Sequence, residues 1–589
     1  MVGKKQLRSR SPQSDRLHWL SHYFPILDWG LHYQRQYFAG DLTAGIIVAS
    51  LLIPQAMAYA LLAGLPPQVG LYASMLPPII YAVFGTSRLI SVAPVAVDSL
   101  MVAAAVSAIA AENTAEYLEF ALLLALMVGT IEVLMGALRL GFLVNFLSQA
   151  VISGFISAAA ILIGFSQIKH LLGVKIPQTE SFFQLLTYLA RSLSTINWIT
   201  LSLGLLSILL LVYFNQRLGK QLQKQGWSEQ TIIPITKSAP LIVTIGSSLL
   251  VWLLRLDQVA DVKVIGTIPQ GLPPITPPAI QPNAVQSLLP AALAISFVGF
   301  MEAYAVGKFL ASKRGQKVDA NQEFIALGAA NIAAAFTGGY PVTGGLSRSV
   351  VNFSANANTA LASIITALMI ALTVLFLTPL FYFLPQTSLA AIILIAVANL
   401  LDFATLKRLW AYNRADAIAW IVSFGAVLAT SVEQGILVGA AGSILLHLWR
   451  TSRPHIAVVG RIGETEQFRN VLRHSVKTCP HVLAVRVDES LYFVNTKYLE
   501  DYLLKAVADR PEVKHLVLVC SAINLIDGSA LETLRSLISD LKTRGIEFYL
   551  SEVKGPVMDQ LMKVGFIDEL GNDHIFPTTD RAMQALNCV

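Results

Sequence analysis

Two apolar stretches of this chain are interrupted in the same way, one in each half of its hydrophobic part. The first reads SVAPVAVDSL, from Ser91 to Leu100, and the second GGYPVTGGLSRSV, from Gly338 to Val350. In each, proline and small residues precede a short apolar run of half-helix length. A helix that starts inside a bilayer aims unpaired N–H groups and the positive end of its dipole at the membrane midplane. Two such ends facing each other form an anion site. Paired interruptions in corresponding positions of two halves are the sequence mark of a transporter's substrate site. The pattern points to a membrane carrier of anions. Its primary ligands are expected to be backbone N–H groups around Val95 and Ala96, opened by Pro94, and around Leu346 and Ser347.

The rest of the chain agrees. It is 55% hydrophobic and 13% charged, against about 25% charged in soluble domains. Apolar stretches recur from Thr43 to Leu448, many near the ~20 residues a span requires. Clear ones are Thr43–Leu62, Tyr117–Leu138, Val144–Gly164, Trp198–Phe214, Leu241–Leu254, Leu361–Phe383 and Ala417–Thr430. With the shorter ones the total is about 14 segments. The first 40 residues lack the apolar core of a signal peptide. Lys4, Lys5, Arg8, Arg10, Arg16 and Arg35 outnumber Asp15 and Asp28 there, which puts this end in the cytoplasm. The net charge of +6 reads as membrane topology, and no nucleic-acid partner is expected.

Composition changes near Thr451. From His455 onward, strand-like runs such as HVLAVRV and HLVLVC alternate with helix-like runs such as GSALETLRSLISDLKTRG, the pattern of an α/β domain. The chain therefore divides into a cytoplasmic N-terminal segment (1–40), a transmembrane domain (41–450) and a soluble tail (451–589). All three cysteines, Cys479, Cys520 and Cys588, lie in the tail. An odd number at irregular spacing on the cytoplasmic side suggests free thiols, with neither a disulfide framework nor a metal site.

Specific motifs resemble a known family. Leu51 to Arg88 (LLIPQAMAYALLAGLPPQVGLYASMLPPIIYAVFGTSR) and Asn321 to Asn352 (NQEFIALGAANIAAAFTGGYPVTGGLSRSVVN) are similar to two signatures of the SulP sulfate permeases. Val519 to Leu534 (VCSAINLIDGSALETL) resembles a STAS domain. The resemblance spans roughly residues 35–585. It implies an all-α transporter domain of fourteen spans in two inverted repeats of seven, with a core moving against a gate, an α/β STAS tail, and a homodimer. Ala93 stands where the family usually has glycine before Pro94, a small change that the half-helix should survive with slightly altered anion access.

Individual polar residues then acquire roles. Gln55 and Tyr59 lie one turn apart on the first span, beyond Pro54, which interrupts that helix and frees a carbonyl. A kinked span with a satisfied buried amide is the bland reading. The resemblance places Gln55 and Tyr59 in the anion cavity. Arg348 offers a planar fork of donors suited to oxyanions and is costly in hydrocarbon unless it faces protein or a cavity. The bland reading pairs it with Glu302. Glu302, an intramembrane carboxylate, is by default functional, and its expected role is coupling to a proton or Na⁺. Burial opposes its charge and Arg348 favours it. The alternative is a static pair with Arg348 or Lys308. Asp98 is a second coupling candidate or an internal cap. Glu132 reads as a structural pair, with Arg139 two turns away, or as an interface contact. In the tail, Asp527 and Ser529 fall where related anti-sigma-factor antagonists carry a phosphorylatable serine. The bland reading, a loop and N-cap, is favoured.

Secondary active transport of an inorganic oxyanion is the leading function, with sulfate as substrate and proton symport as the coupling. Na⁺-coupled bicarbonate transport is the alternative. A passive anion channel and a STAS-based sensor are other classes, and the sensor leaves Gln55, Glu302 and Arg348 without a task. No P-loop, nucleophile elbow or metal-ligand spacing occurs, so neither an enzyme nor a cofactor is expected. The lipid bilayer is the surrounding partner, and the plasma (inner) membrane the expected location.

Overall fold

The computed structural model describes residues 23–112, 114–142, 148–174, 182–430 and 432–588. The basic residues Lys4 to Arg16 and the start of the stretch expected from Val144 lie outside them. The chain forms two compact units, Met1–Ser443 and Ile444–Val589.

The first unit is helical. Among the described residues seven helices are long and apolar enough to cross a membrane, and a bent pair, Thr231–Lys237 with Ala239–Leu254, makes an eighth candidate at an angle of 46°. The others are shorter, including both half-helices, so length and hydropathy alone do not recover the fourteen spans that the resemblance implies. The first span corrects one expectation. Pro54 does not interrupt it, and Phe38–Leu62 is a single helix running through the proline. Residues on both sides of Pro54, from Leu51 to Ala60, are buried. With no water to compete for the freed carbonyl, helical geometry persists.

Close packing depends on small residues. Helices Ala115–Ala137 and Ala320–Phe336 cross at Gly129 and Gly328. A Cβ on either glycine would stand 2.6 Å from the other's carbonyl oxygen. This contact is backbone against backbone, the way membrane helices gain packing where no hydrophobic force separates them from lipid.

Both interrupted segments form the same unit, a two-residue strand followed by a half-helix. Strand β1 (Val92–Ala93) precedes helix Ala96–Ser107, and β2 (Thr343–Gly344) precedes helix Leu346–Ser354. The strands pair antiparallel, Val92 with Gly344 and Ala93 with Thr343. Pro94 and Gly345 stand just outside the ladder, so each chain leaves it straight into a helix. The antiparallel pairing sends the two half-helices off in opposed directions, as two inverted repeats require.

The second unit is α/β. Strands β3 (Ile456–Arg461), β4 (Phe468–Asn470), β5 (Val482–Val487), β6 (His515–Val519), β7 (Glu547–Ser551) and β8 (Ile575–Phe576) form one sheet in the order β4-β3-β5-β6-β7-β8. Neighbours from β5 to β8 run parallel, and β3 is antiparallel to both β4 and β5. One face is covered by helices Thr496–Ala508, Gly528–Thr543 and Gly555–Lys563. The other carries Val459, Ala484, Val517 and Tyr549 beneath the C-terminal helix Thr579–Ala585. Alternation along each strand supplies both faces, the two-sided burial expected of parallel strands. The cysteines correct a second expectation. Cys479 and Cys588 are joined as a disulfide across 109 residues, and Cys520 is the free, buried thiol. Folding brings the last turn of the chain back to the loop before β5, a proximity that sequence spacing does not encode.

Candidate anion site

The two half-helices begin on opposite sides of the β1–β2 ladder. Neither has a side-chain cap at its N-terminus. Val95 and Gly345 occupy the cap positions, and neither provides an acceptor. The first-turn N–H groups that a serine or aspartate would normally satisfy therefore remain available. Val95 and Ala96 are buried, whereas Leu346 and Ser347 are exposed.

Arg348 links the two interrupted segments. It is buried, and its Nη1 and Nη2 donate to the carbonyls of Pro94 at 3.0 Å and Ala93 at 3.1 Å. The guanidinium on the second half-helix thus grips the backbone that leads into the first. Its Nε has no partner. Gly345 makes this pose possible, because a Cβ there would lie 2.7 Å from both Cζ and Nη2 of Arg348. Further bonds tie the same elements. Ser91 N–H donates to Ser349 Oγ, Gly345 N–H to the Ser91 carbonyl, and Asn352 Nδ2 to the Leu89 carbonyl. The static Arg348–Glu302 pair does not form within ion-pair distance among the described residues. Lys308 also leaves Glu302 alone and lies over the Tyr304 ring.

Five acids of the helical domain divide by their partners. Asp41 accepts from the Asn358 and Thr359 N–H groups and from the Thr359 hydroxyl. Glu323 accepts from Tyr81, from Thr86 twice and from Ser87. Glu132 accepts from Asn331 Nδ2 at 2.8 Å. That amide also bonds both backbone groups of Val342, fixing the approach to β2. Glu132 is therefore an interhelical contact, with Asn331 in place of Arg139. Asp98 and Glu302 differ. Both oxygens of buried Asp98 and Oε2 of Glu302 have no hydrogen-bond partner. A buried polar group without a partner costs about 1–3 kcal/mol and asks for an explanation. Asp98 Oδ2 would lie 3.1 Å from a Cβ on Gly299, one turn before Glu302 on the same helix. The two acids thus line one region beside the ladder.

Around them stand Gln55, buried with its Oε1 unpartnered, and buried Tyr59. Two residues of this region were not singled out in the sequence. Tyr340 shares a 2.9 Å hydrogen bond with Ser99. Thr343 donates to the Gly299 carbonyl at 2.6 Å. Both Tyr340 and Thr343 lie inside the second interrupted segment, and a polar residue in a membrane break was the available signal. In the tail, Asp527 is the N-cap of Gly528–Thr543, accepting from Ala530 N–H at 2.8 Å and from Phe493 N–H at 2.9 Å. Ser529 is exposed in the first turn of that helix.

Uncapped helix ends, a guanidinium with a spare N–H, an amide and two unpartnered carboxyls suit an oxyanion accompanied by cations. Comparisons with known proteins bear on the anion alone. The sulfate permease family profile matches residues 38–423, and the STAS domain profile matches residues 474–582. A probable sulfate transporter 4.2 of Arabidopsis thaliana is 36% identical over 96% of this chain and 84% of its own length. A high affinity sulfate transporter 2 of Stylosanthes hamata is 34% identical over 96% and 86%. Among solved structures, a murine Solute Carrier 26 family anion transporter in its inward-facing state superposes with a TM-score of 0.89 at 26% identity, covering 99% of this chain and 96% of that one. The transmembrane domain of a cyanobacterial bicarbonate transporter superposes at 0.59 with 20% identity, over 70% of this chain and 98% of its own, a likeness of fold alone.

Proposed function

The chain belongs to the sulfate permease family, and on that premise we propose that it is a secondary active sulfate transporter driven by protons. The observation that carries this reading is the conjunction of two uncapped half-helix N-termini with two unpartnered carboxyls, Asp98 and Glu302. The anion lies between the helix ends, against N–H groups near Val95, Ala96, Leu346 and Ser347. Gln55, Tyr59 and the free Nε of Arg348 complete its surroundings.

Charge balance gives the coupling. Sulfate brings two negative charges, and ionised Asp98 and Glu302 would add two more. Against these stand Arg348 and two helix ends worth about half a charge each. About two negative charges remain, and a proton on each carboxyl removes them. Protonation also turns each carboxyl into a donor, which supplies the missing hydrogen-bond partners. Release of the protons would then expel the anion. Helix ends serve this cycle better than a second buried cation, because they bind without a fixed full charge. The sulfate transporters among the relatives support sulfate over bicarbonate.

The membrane domain (41–450) works in this reading as a homodimer in the plasma (inner) membrane, with the N-terminal segment and the STAS domain (451–589) cytoplasmic. Uptake of labelled sulfate into proteoliposomes, with inward pH and Na⁺ gradients imposed separately, tests the proposal. Saturable accumulation under the pH gradient alone supports it. Accumulation of labelled bicarbonate under Na⁺, without sulfate uptake, would refute it, as would a gradient-independent conductance.

A further inference from the structure

Cys479 and Cys588 meet a third donor. Among the described residues, Cys479, His481 and Cys588 form a group whose ligand atoms all lie within 4.8 Å of one another. His481 Nε2 is 3.6 Å from Cys479 Sγ and 3.3 Å from Cys588 Sγ. The three residues are half-buried and line a cavity of about 980 Å³ that also holds Arg461, Lys477, Arg510 and Glu512. Nothing in the anion-transport reading uses this cluster.

The nitrogen–sulfur distances match a metal centre, and the two sulfurs, bonded here, would part on reduction to admit an ion. Zinc binds thiolate at ~2.3 Å and imidazole nitrogen at ~2.0–2.1 Å. At a tetrahedral angle those lengths put sulfur and nitrogen ~3.5 Å apart, between the two distances found here. Two thiolates and one imidazole also form a donor set selective for soft or borderline divalent ions. The Cα atoms of the cysteines are 5.8 Å apart, close enough for one ion to span both sulfurs. His481 is held by its neighbours. Its ring meets that of His515 edge-on, and in the disulfide form its Nε2 lies 3.3 Å from the Leu586 carbonyl, a contact whose proton moves to Nδ1 when Nε2 takes the ion.

We propose that the reduced cluster of Cys479, His481 and Cys588 is a binding site for a divalent cation of the zinc class, with a solvent molecule from the cavity as fourth ligand. The disulfide is its metal-free, oxidised form. Two electrons and two protons convert the disulfide to two thiols. In the test a phosphine supplies the electrons and is itself oxidised to phosphine oxide with oxygen from water. The two thiols then lose their protons as the ion binds. Cys588 follows helix Thr579–Ala585, which covers one face of the sheet, so the ion would pin the chain's end to the loop before β5.

The test is titration of Co²⁺ into the full-length protein in detergent, after phosphine treatment and removal of oxygen. Expected are one equivalent bound, thiolate-to-cobalt charge-transfer absorption with tetrahedral d–d bands, and displacement by Zn²⁺. The untreated disulfide form should show none of these. His481→Asn keeps both thiols and should weaken binding at least tenfold, and Cys588→Ser, which leaves one thiolate, should weaken binding and at least halve the charge-transfer band. The proposal is overturned if thiol titration shows that the bond resists reduction in the folded protein. It is also overturned if the reduced protein gives no charge-transfer band, or if His481→Asn binds as the parent does. Sulfate uptake is not a readout here, so failure of this site leaves the transport reading intact.

Discussion

Gly345→Ala is the most informative small change at the site. The added Cβ would sit 2.7 Å from Arg348 Cζ and Nη2 and 3.1 Å from Nη1. Ordinary contact begins near 3.5 Å, so the guanidinium must retreat by about 0.8 Å. Its bonds to Pro94 and Ala93, now 3.0 and 3.1 Å, would stretch beyond hydrogen-bond range. Nε, the group proposed to face the anion, moves with the guanidinium, so one charge-assisted bond of about 1.5–3 kcal/mol is lost from the sulfate-bound state. Sulfate affinity, measured as the half-saturation of proteoliposome uptake, should fall roughly tenfold to a hundredfold. The cause is tested by a cycle with Arg348→Ala. In that background the clash partner is gone, and Gly345→Ala should add little. Additive effects of the two substitutions would refute the reasoning, because they would locate the damage away from the guanidinium.

Other substitutions separate the partnered acids from the unpartnered ones. Glu302→Gln and Asp98→Asn should each leave measurable sulfate flux while weakening its response to an imposed pH gradient, and unchanged gradient dependence in both would remove them from coupling. Asn331→Ala strands Glu132 and both backbone groups of Val342, and should cost about 2–5 kcal/mol, read as a lower thermal unfolding midpoint in detergent. An unchanged midpoint would mean that this network is dispensable. Asp527→Ala removes a cap and should cost about 0.5–2 kcal/mol in the tail domain, visible as earlier amide exchange in helix Gly528–Thr543, with sulfate half-saturation unchanged.

The architecture of the site was legible because its physics is local. Proline and small residues before a short apolar run specify a half-helix start, and Ala96 and Leu346 are where the helices begin. The strands and helices of the tail also follow from local alternation, as in HVLAVRV, which is β5. Contacts across hundreds of residues were not legible. Nothing near Arg348 in the chain says that its guanidinium reaches the carbonyls of Ala93 and Pro94. Nothing near Glu132 says that Asn331 satisfies it in place of Arg139. Cys479 and Cys588 likewise look unrelated until the sheet folds. Pro54 is the opposite case, a strong local signal for a break that a fully buried, waterless surrounding overrides.

The central claim is the position of the anion, and a cryo-EM structure with saturating sulfate tests it most directly. The account predicts tetrahedral density between the starts of helices Ala96–Ser107 and Leu346–Ser354, within hydrogen-bond reach of their first-turn N–H groups and beside Arg348. Density at another site, or helix ends left vacant in a preparation that transports sulfate saturably, would contradict it.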